Sequence, residues 1–371
     1  MKLSYWEKKS WFTGIDFCII GSGIVGLSCA LQLKKMHPKS KILVLEKGIL
    51  PQGASTKNAG FACFGSMSEI LSDLKHHTEE EVFDLVKQRY KGLKLLRETL
   101  GDKNIDYQQN GGYEVCLNQD ETLFETCKAQ LENINQLLEP IFKVEVFETK
   151  LDDFNFQNTL SQQIVNKFEG QIDTGKMMQS LLQKAQSNGV MVLNAVEVLD
   201  FLTDFDYVRI RLVDFEFSTK QLFIATNAFS RQLLDVELQP ARNQVIITKP
   251  IKNLHIKGTF HLQEGYFYFR NINNRILLGG GRHLDHKNEM TTALDTTDNI
   301  QNALEKILNE VILPESKIDI DQRWSGILGI GKQKKPIIKS VNNRVYCAVR
   351  LGGMGVAIGS EVGRELALFS K

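Results

Sequence analysis

The sequence predicts an α/β plus α+β chain, in which a parallel-sheet domain receives an antiparallel-sheet domain inserted in pieces. Three observations predict it. Residues 16–46 read strand, glycine turn, helix, strand, a unit that strongly favours right-handed parallel pairing. Residues 197–280 carry successive runs of alternating or β-rich residues that suggest antiparallel strands. The last third of the chain ends in strand, glycine loop and helix, which returns it to the first domain.

Each element follows in order. DFCII (16–20) is a short apolar run read as a buried strand. Leu27, Ala30, Leu31 and Leu33 carry helical spacing, and Pro38 ends that helix. KILVLE (41–46) is a second buried strand. PQGASTKNAGFACFGS (51–66) is rich in small and turn-forming residues and reads as loop. Apolar positions at Val82, Phe83, Val86, Tyr90, Leu93, Leu96 and Leu100 predict a helix over 79–100, and a similar face predicts one over 120–138. GGYEVCLN (111–118) lies between them as a strand. A helix from Asp173 to Ser187 is expected, with Asp173-Thr174 at its start and Gly189 after its end. Strands follow at 190–193, within 197–226, and at 243–248, 258–263, 266–270 and 275–280; a helix is expected at 299–312. This pattern predicts a first domain of 13–66, 165–235 and 323–371, and a second of 67–164 and 236–322.

The 371 residues exceed one ordinary domain, and 42% hydrophobic content supplies a large core. A formal net charge of +1 gives no reason to expect nucleic acid or an anionic membrane as partner. The opening residues lack the apolar run of a signal peptide, and no stretch approaches the ~18–20 apolar residues of a spanning helix. Six scattered cysteines without a C-x-x-C pair suggest a reducing, cytoplasmic setting, with neither disulfides nor a metal site.

The glycine turn Gly21-Ser22-Gly23-Ile24-Val25-Gly26 follows a strand and opens a helix, which makes the domain Rossmann-like. Gly21 permits the tight turn, Gly23 lets backbone approach a pyrophosphate, and Gly26 lets helix and strand pack closely. The helix N-terminus offers free N–H groups to phosphates. Glu46 closes the second strand, about 20 residues on, where an acid hydrogen-bonds ribose hydroxyls and disfavours a 2′-phosphate.

Four blocks then resemble the D-amino-acid oxidase superfamily of flavoproteins, the branch holding glycine oxidase, sarcosine oxidase and D-amino-acid dehydrogenase. They are GSGIVGLSCAL with Glu46-Lys47, GASTKNAGF (53–61), IATNAFS (224–230), and RWSGILG (323–329) with GGMGVAIGSEVGRELA (352–367). The resemblance implies FAD. It assigns contacts to Gly53, Ala54, Ser55, Asn58, Ala59 and Gly60, and to Ala225, Thr226 and Asn227. It extends them to Gly326, Gly353, Met354, Gly355 and Val356, and places Val198 against the adenine. Ser325 stands near where members with covalent flavin carry a cysteine, so non-covalent FAD is expected.

The resemblance also implies oxidation of a carbon–nitrogen bond in a small amine or amino acid, with oxygen or a quinone as acceptor. Tyr266, Tyr268 and Arg270 alternate along one strand. Tyr268, Arg270 and Arg282 are the candidate substrate residues, with Tyr266 and His283 beside them. One departure stands out: Gly353 occupies the place of the family's carboxylate-binding arginine, and Arg350 lies three residues earlier. Glycine and simple D-amino acids become doubtful substrates unless Arg270 or Arg282 grips the carboxylate. Competing readings are an NAD-linked dehydrogenase, a tRNA wobble-uridine-modifying flavin domain, and a flavin-binding protein without turnover.

Overall fold

The computed structural model describes residues 3–314 and 318–370. Ile15–Ile20 is the centre of the first sheet, flanked in parallel by Ile42–Leu45 and by Glu216–Ile224. Met191–Leu193 extends one side in parallel, and Val345–Val349 the other. These strands are apolar on both faces because both faces are covered. Ile19, Val44 and Phe223 pack on one side with the helices Ile24–Met36, Thr174–Ser187 and Gly355–Ala367. Ile20, Leu43 and Leu222 pack on the other against a meander whose strands include Val198–Thr203 and Val208–Leu212.

The second sheet runs in the spatial order Ile320–Ile330, Gln239–Thr248, Arg275–Gly280, Phe267–Ile272, Thr259–Leu262, Gly112–Glu114, Gln162–Asn166, Phe147–Leu151. Its neighbours are antiparallel except Thr259–Leu262 with Gly112–Glu114, which run parallel. Phe260 and Phe269 stack at 4.5 Å between ring centres in the core beneath it.

The boundaries expected at 165 and 323 need correction. Residue 165 falls within Gln162–Asn166 and residue 323 within Ile320–Ile330, both strands of the second sheet. The closing block RWSGILG thus reaches the first domain from across the molecule, paired along its length with Gln239–Thr248. The helix expected over 120–138 is two, Glu121–Ala129 and Leu131–Phe142. A short helix at Tyr5–Glu7, with Ser4 and Glu7 forming a capping box, escaped sequence reading. Its side chains are exposed, so no apolar periodicity marks it.

Candidate FAD and substrate site

The turn after Ile15–Ile20 is held from below. Ser22 donates its backbone N–H and its hydroxyl to one oxygen of Glu46, at 3.1 and 2.9 Å, and the other oxygen accepts the Gly48 N–H. Ser22 is therefore buried and braces the turn rather than lining the cavity. Gly26 is also structural: a Cβ there would lie 1.9 Å from the Gly21 carbonyl oxygen. At Gly23 a Cβ would come within 2.7 Å of Ser55 Oγ, which itself accepts the Ile24 N–H at 3.0 Å.

Residues 53–60 form a short helical turn, Ala54–Lys57, closed by Asn58. The Asn58 amide donates to the carbonyls of Ala54 and Ser55, and its oxygen accepts from the Gly60 N–H and the Thr174 hydroxyl. Its side chain holds the loop and is spent there. Gly60, at φ +75°, does not line the cavity, and a Cβ would meet the Ile172 carbonyl at 2.4 Å. Trp324 donates its indole N–H to the Lys57 carbonyl at 3.0 Å, so the closing strand clamps this loop.

The segment 225–227 meets the C-terminal glycine loop. Asn227 Oδ1 accepts the N–H groups of Arg350 and Leu351, at 3.0 and 3.3 Å. Arg350 itself sits at φ +65° and donates to the carbonyls of Lys335 and Glu237. It ties the loop down rather than reaching toward a ligand.

Gly21, Gly23, Ile24, Val25, Glu46 and Lys47 border one cavity of about 920 Å³, which Gly53, Ala54, Ser55, Asn58 and Ala59 also border. Val198, Ala225, Thr226, Asn227, Gly326, Gly353, Met354, Gly355 and Val356 complete this end. Lys47 pairs with Glu197 at 2.7 Å on the rim. Beyond Met354 the cavity continues past Phe61, Cys63, His261, Tyr266, Tyr268 and Arg282.

FAD fits these residues on two observations. The Thr226 hydroxyl is buried on the lining without a partner, and a Cβ at Gly353 or Gly355 would meet nothing within 4 Å, so the last loop opens onto space. The N-termini of Ile24–Met36 and Gly355–Ala367 both open on the cavity, supplying N–H groups and positive dipole ends.

The family model for FAD-dependent oxidoreductases of the DAO type matches residues 16–368. The chain belongs to this family. The DAO-family assignment agrees with a gamma-glutamylputrescine oxidoreductase of Escherichia coli K12, 24% identical over 95% of this chain and 82% of that protein. A probable oxidoreductase OrdL of Haemophilus influenzae is 21% identical over the same shares. Among solved structures, L-proline dehydrogenase from P. horikoshii superposes with a TM-score of 0.76, at 17% identity, covering 95% of this chain and 92% of that one. Glycine oxidase from Geobacillus kaustophilus gives 0.74 at 17% identity, covering 94% and 92%. The DAO-family chain is thus an FAD-dependent oxidoreductase, and its fold is that of its structural neighbours.

The substrate end sorts the expected residues. Tyr268 lines the cavity, its hydroxyl accepts from Asn243 at 3.3 Å, and burial pushes its phenol up to about 12. Arg282 lines the cavity and stacks over the Tyr266 ring at 5.5 Å. Arg270 does not line it. It lies buried behind Gly60, facing a separate hollow of about 30 Å³ shared with Asp106 and Asp173, and its Nε has no partner. Burial lowers its guanidinium to about 10. Tyr268 and Arg270 do share a strand face, but the loop at Gly60 intervenes, so Arg270 is removed from the substrate candidates.

Sequence reading missed His261. Its Nε2 lies 3.1 Å from Glu169 Oε2, and both side chains are buried. Cys63 brings its sulfur to the same place, the donor atoms of the three lying within 4.8 Å of one another. This is a hydrogen-bonded pair beside a neutral thiol: the other Glu169 oxygen accepts the Phe64 N–H, and burial holds the Cys63 thiol well above its ordinary value. His261 sits in the apolar strand TFHL and Glu169 just before the short strand Gly170–Gln171, so no spacing links them.

Proposed function

We propose that this chain oxidises a carbon–nitrogen bond of a small amine or amino acid. One observation carries the reading: the dinucleotide cradle and the aromatic corner of Phe61, Tyr268 and Tyr266 are two ends of a single cavity. Gly21, Gly23, Ile24, Val25, Glu46, Gly53, Ala54, Ser55, Ala59, Ala225, Thr226 and residues 353–356, which border the cavity, would hold FAD, which would supply two-electron oxidation by taking the substrate's α-hydrogen as hydride at N5.

The chain's own residues orient the substrate and keep water out. Phe61 meets Tyr268 edge-on at 5.4 Å between ring centres, which gives the site an apolar wall. Asn243 fixes the Tyr268 hydroxyl. Arg282 is one guanidinium at this end placed to receive a carboxylate: Arg89, which also lines the cavity, donates Nη1 to the Phe64 carbonyl, Gly353 carries no side chain, and Arg350 is tied to carbonyls. An amine substrate agrees with the name of the curated relative that acts on γ-glutamylputrescine. Cys63 is the cysteine on the lining, and its raised thiol favours FAD held without a covalent bond.

The test is an anaerobic screen of secondary amines, D-amino acids and N-methyl amino acids, read as bleaching of the flavin band, followed by admission of oxygen or a quinone. Failure of every class to bleach the purified holoprotein overturns the reading in favour of a flavin-binding protein without turnover.

A further inference from the structure

We propose that His261 is the proton acceptor for the substrate's ammonium group and that Glu169 positions it, an inference that rests on the amine-oxidising reading above. An amine reaches the protein largely as its ammonium ion at neutral pH. Its carbon yields a hydride only once the nitrogen lone pair is free. One N–H bond must break before oxidation, its electron pair staying on nitrogen and its proton going to a base. No oxidant takes part in that step.

His261 meets the requirements of position. It borders the cavity at the end holding Phe61, Tyr268 and Arg282, and is 5% exposed. Phe61 stands edge-on to the imidazole at 5.4 Å. Tyr268 is its direct antiparallel neighbour across the sheet. A base here sits at the corner framed by the two aromatic side chains that wall the substrate end.

Glu169 determines which ring atom acts. Its Oε2 takes the Nε2 side of His261 at 3.1 Å, and its Oε1 is committed to the Phe64 N–H at 3.2 Å. The carboxylate is 1% exposed and cannot swing away without losing both contacts. Nδ1 is then the nitrogen left to accept a proton, and the imidazolium that forms is stabilised by the carboxylate behind it.

The groups facing His261 come from every packed element. Glu114 lies opposite on the parallel strand, Glu69 on the helix Met67–Leu74, Cys63 beyond Phe61, Tyr268 on the antiparallel strand, and Glu169 behind. Burial alone would lower the imidazole, but the charges of Glu169, Glu69 and Glu114 carry it above its ordinary 6.5. The sign follows: the accepting form appears as pH rises through this raised value, so substrate oxidation gains an acid limb displaced upward.

Stopped-flow bleaching of the holoenzyme across pH, with an amine that reduces the wild type, tests this. His261→Asn should lose about 10²–10⁴-fold in rate at unchanged flavin content, and the displaced limb should vanish. Glu169→Gln should move that limb to lower pH, which the substrate's own ammonium ionisation would not do. A second readout needs no turnover: the His261 Cε1–H resonance, identified by its loss in His261→Asn, should titrate above 6.5 in the wild type and lower in Glu169→Gln. A His261→Asn enzyme that keeps the wild-type rate and profile overturns the proposal while leaving amine oxidation standing. If that variant does not fold, an unmoved limb in Glu169→Gln overturns it. If no amine bleaches the wild type, amine oxidation itself falls, and this inference with it.

Discussion

Ser55 Oγ accepts a hydrogen bond from the Ile24 backbone N–H at 3.0 Å. That contact joins the loop after the second strand to the helix that opens the glycine turn. It uses one of the free donors at a helix N-terminus and fixes the two halves of the dinucleotide cradle against each other. It also explains why position 23 has no room for a side chain.

Gly23→Val should therefore remove the cofactor and spare the fold. The added carbons enter the space of Ser55 Oγ, 2.7 Å from the first of them, and block close approach by a diphosphate. The flavin-to-protein absorbance ratio should fall toward zero. Circular dichroism should stay near wild type.

Ser55→Ala leaves the Ile24 N–H without its partner. A loss of about 1 kcal/mol in stability is expected, with weaker FAD binding. Urea unfolding of the apoprotein measures the first, and flavin titration the second. Wild-type values in both would remove Ser55 from the cradle.

Arg242 and Glu289 form a buried two-point pair, with contacts of 2.9 and 2.7 Å, and Gln244 adds a third hydrogen bond to Glu289. Arg242→Met strands a buried carboxylate and should cost about 3–5 kcal/mol. The double change Arg242→Met with Glu289→Met should recover most of that loss. Urea midpoints of the three proteins decide it.

Arg270 contrasts with this pair, since its Nε is buried without a partner. Arg270→Met removes a desolvated cation and should leave stability unchanged or raise it by about 1 kcal/mol. The substrate concentration dependence of bleaching should not move. A large rise in that dependence would return Arg270 to the substrate site.

The Tyr268 phenol, raised by burial to about 12, stays protonated through the working range. Tyr268→Phe should lower the bleaching rate through loss of the Asn243 contact while keeping the shape of the pH profile. An alkaline limb that disappears in this variant would show that the phenol titrates after all.

Much of the cradle was legible because it depends on local patterns. Gly21, Gly23, Glu46 and the small residues Gly53, Ala54, Ser55 and Ala59 are near in sequence and border one cavity. Their division of labour was not legible. Asn58 and Gly60 read as contacts, yet one closes its own loop and the other makes room for the Ile172 carbonyl. Asn227 is also a clamp, because its partners at 350 and 351 lie in a distant loop.

The sequence by itself determined a strand–turn–helix unit with an acid at the right distance, and hence a dinucleotide site, because backbone geometry and glycine placement act over a few residues. Only the tertiary structure decided which polar groups border the far end of the cavity. Arg270 was turned behind a loop, the closing block was placed in the second sheet, and His261 was brought to Glu169 across the core. Those outcomes depend on sheet register and packing between segments far apart in the chain, which no local spacing records.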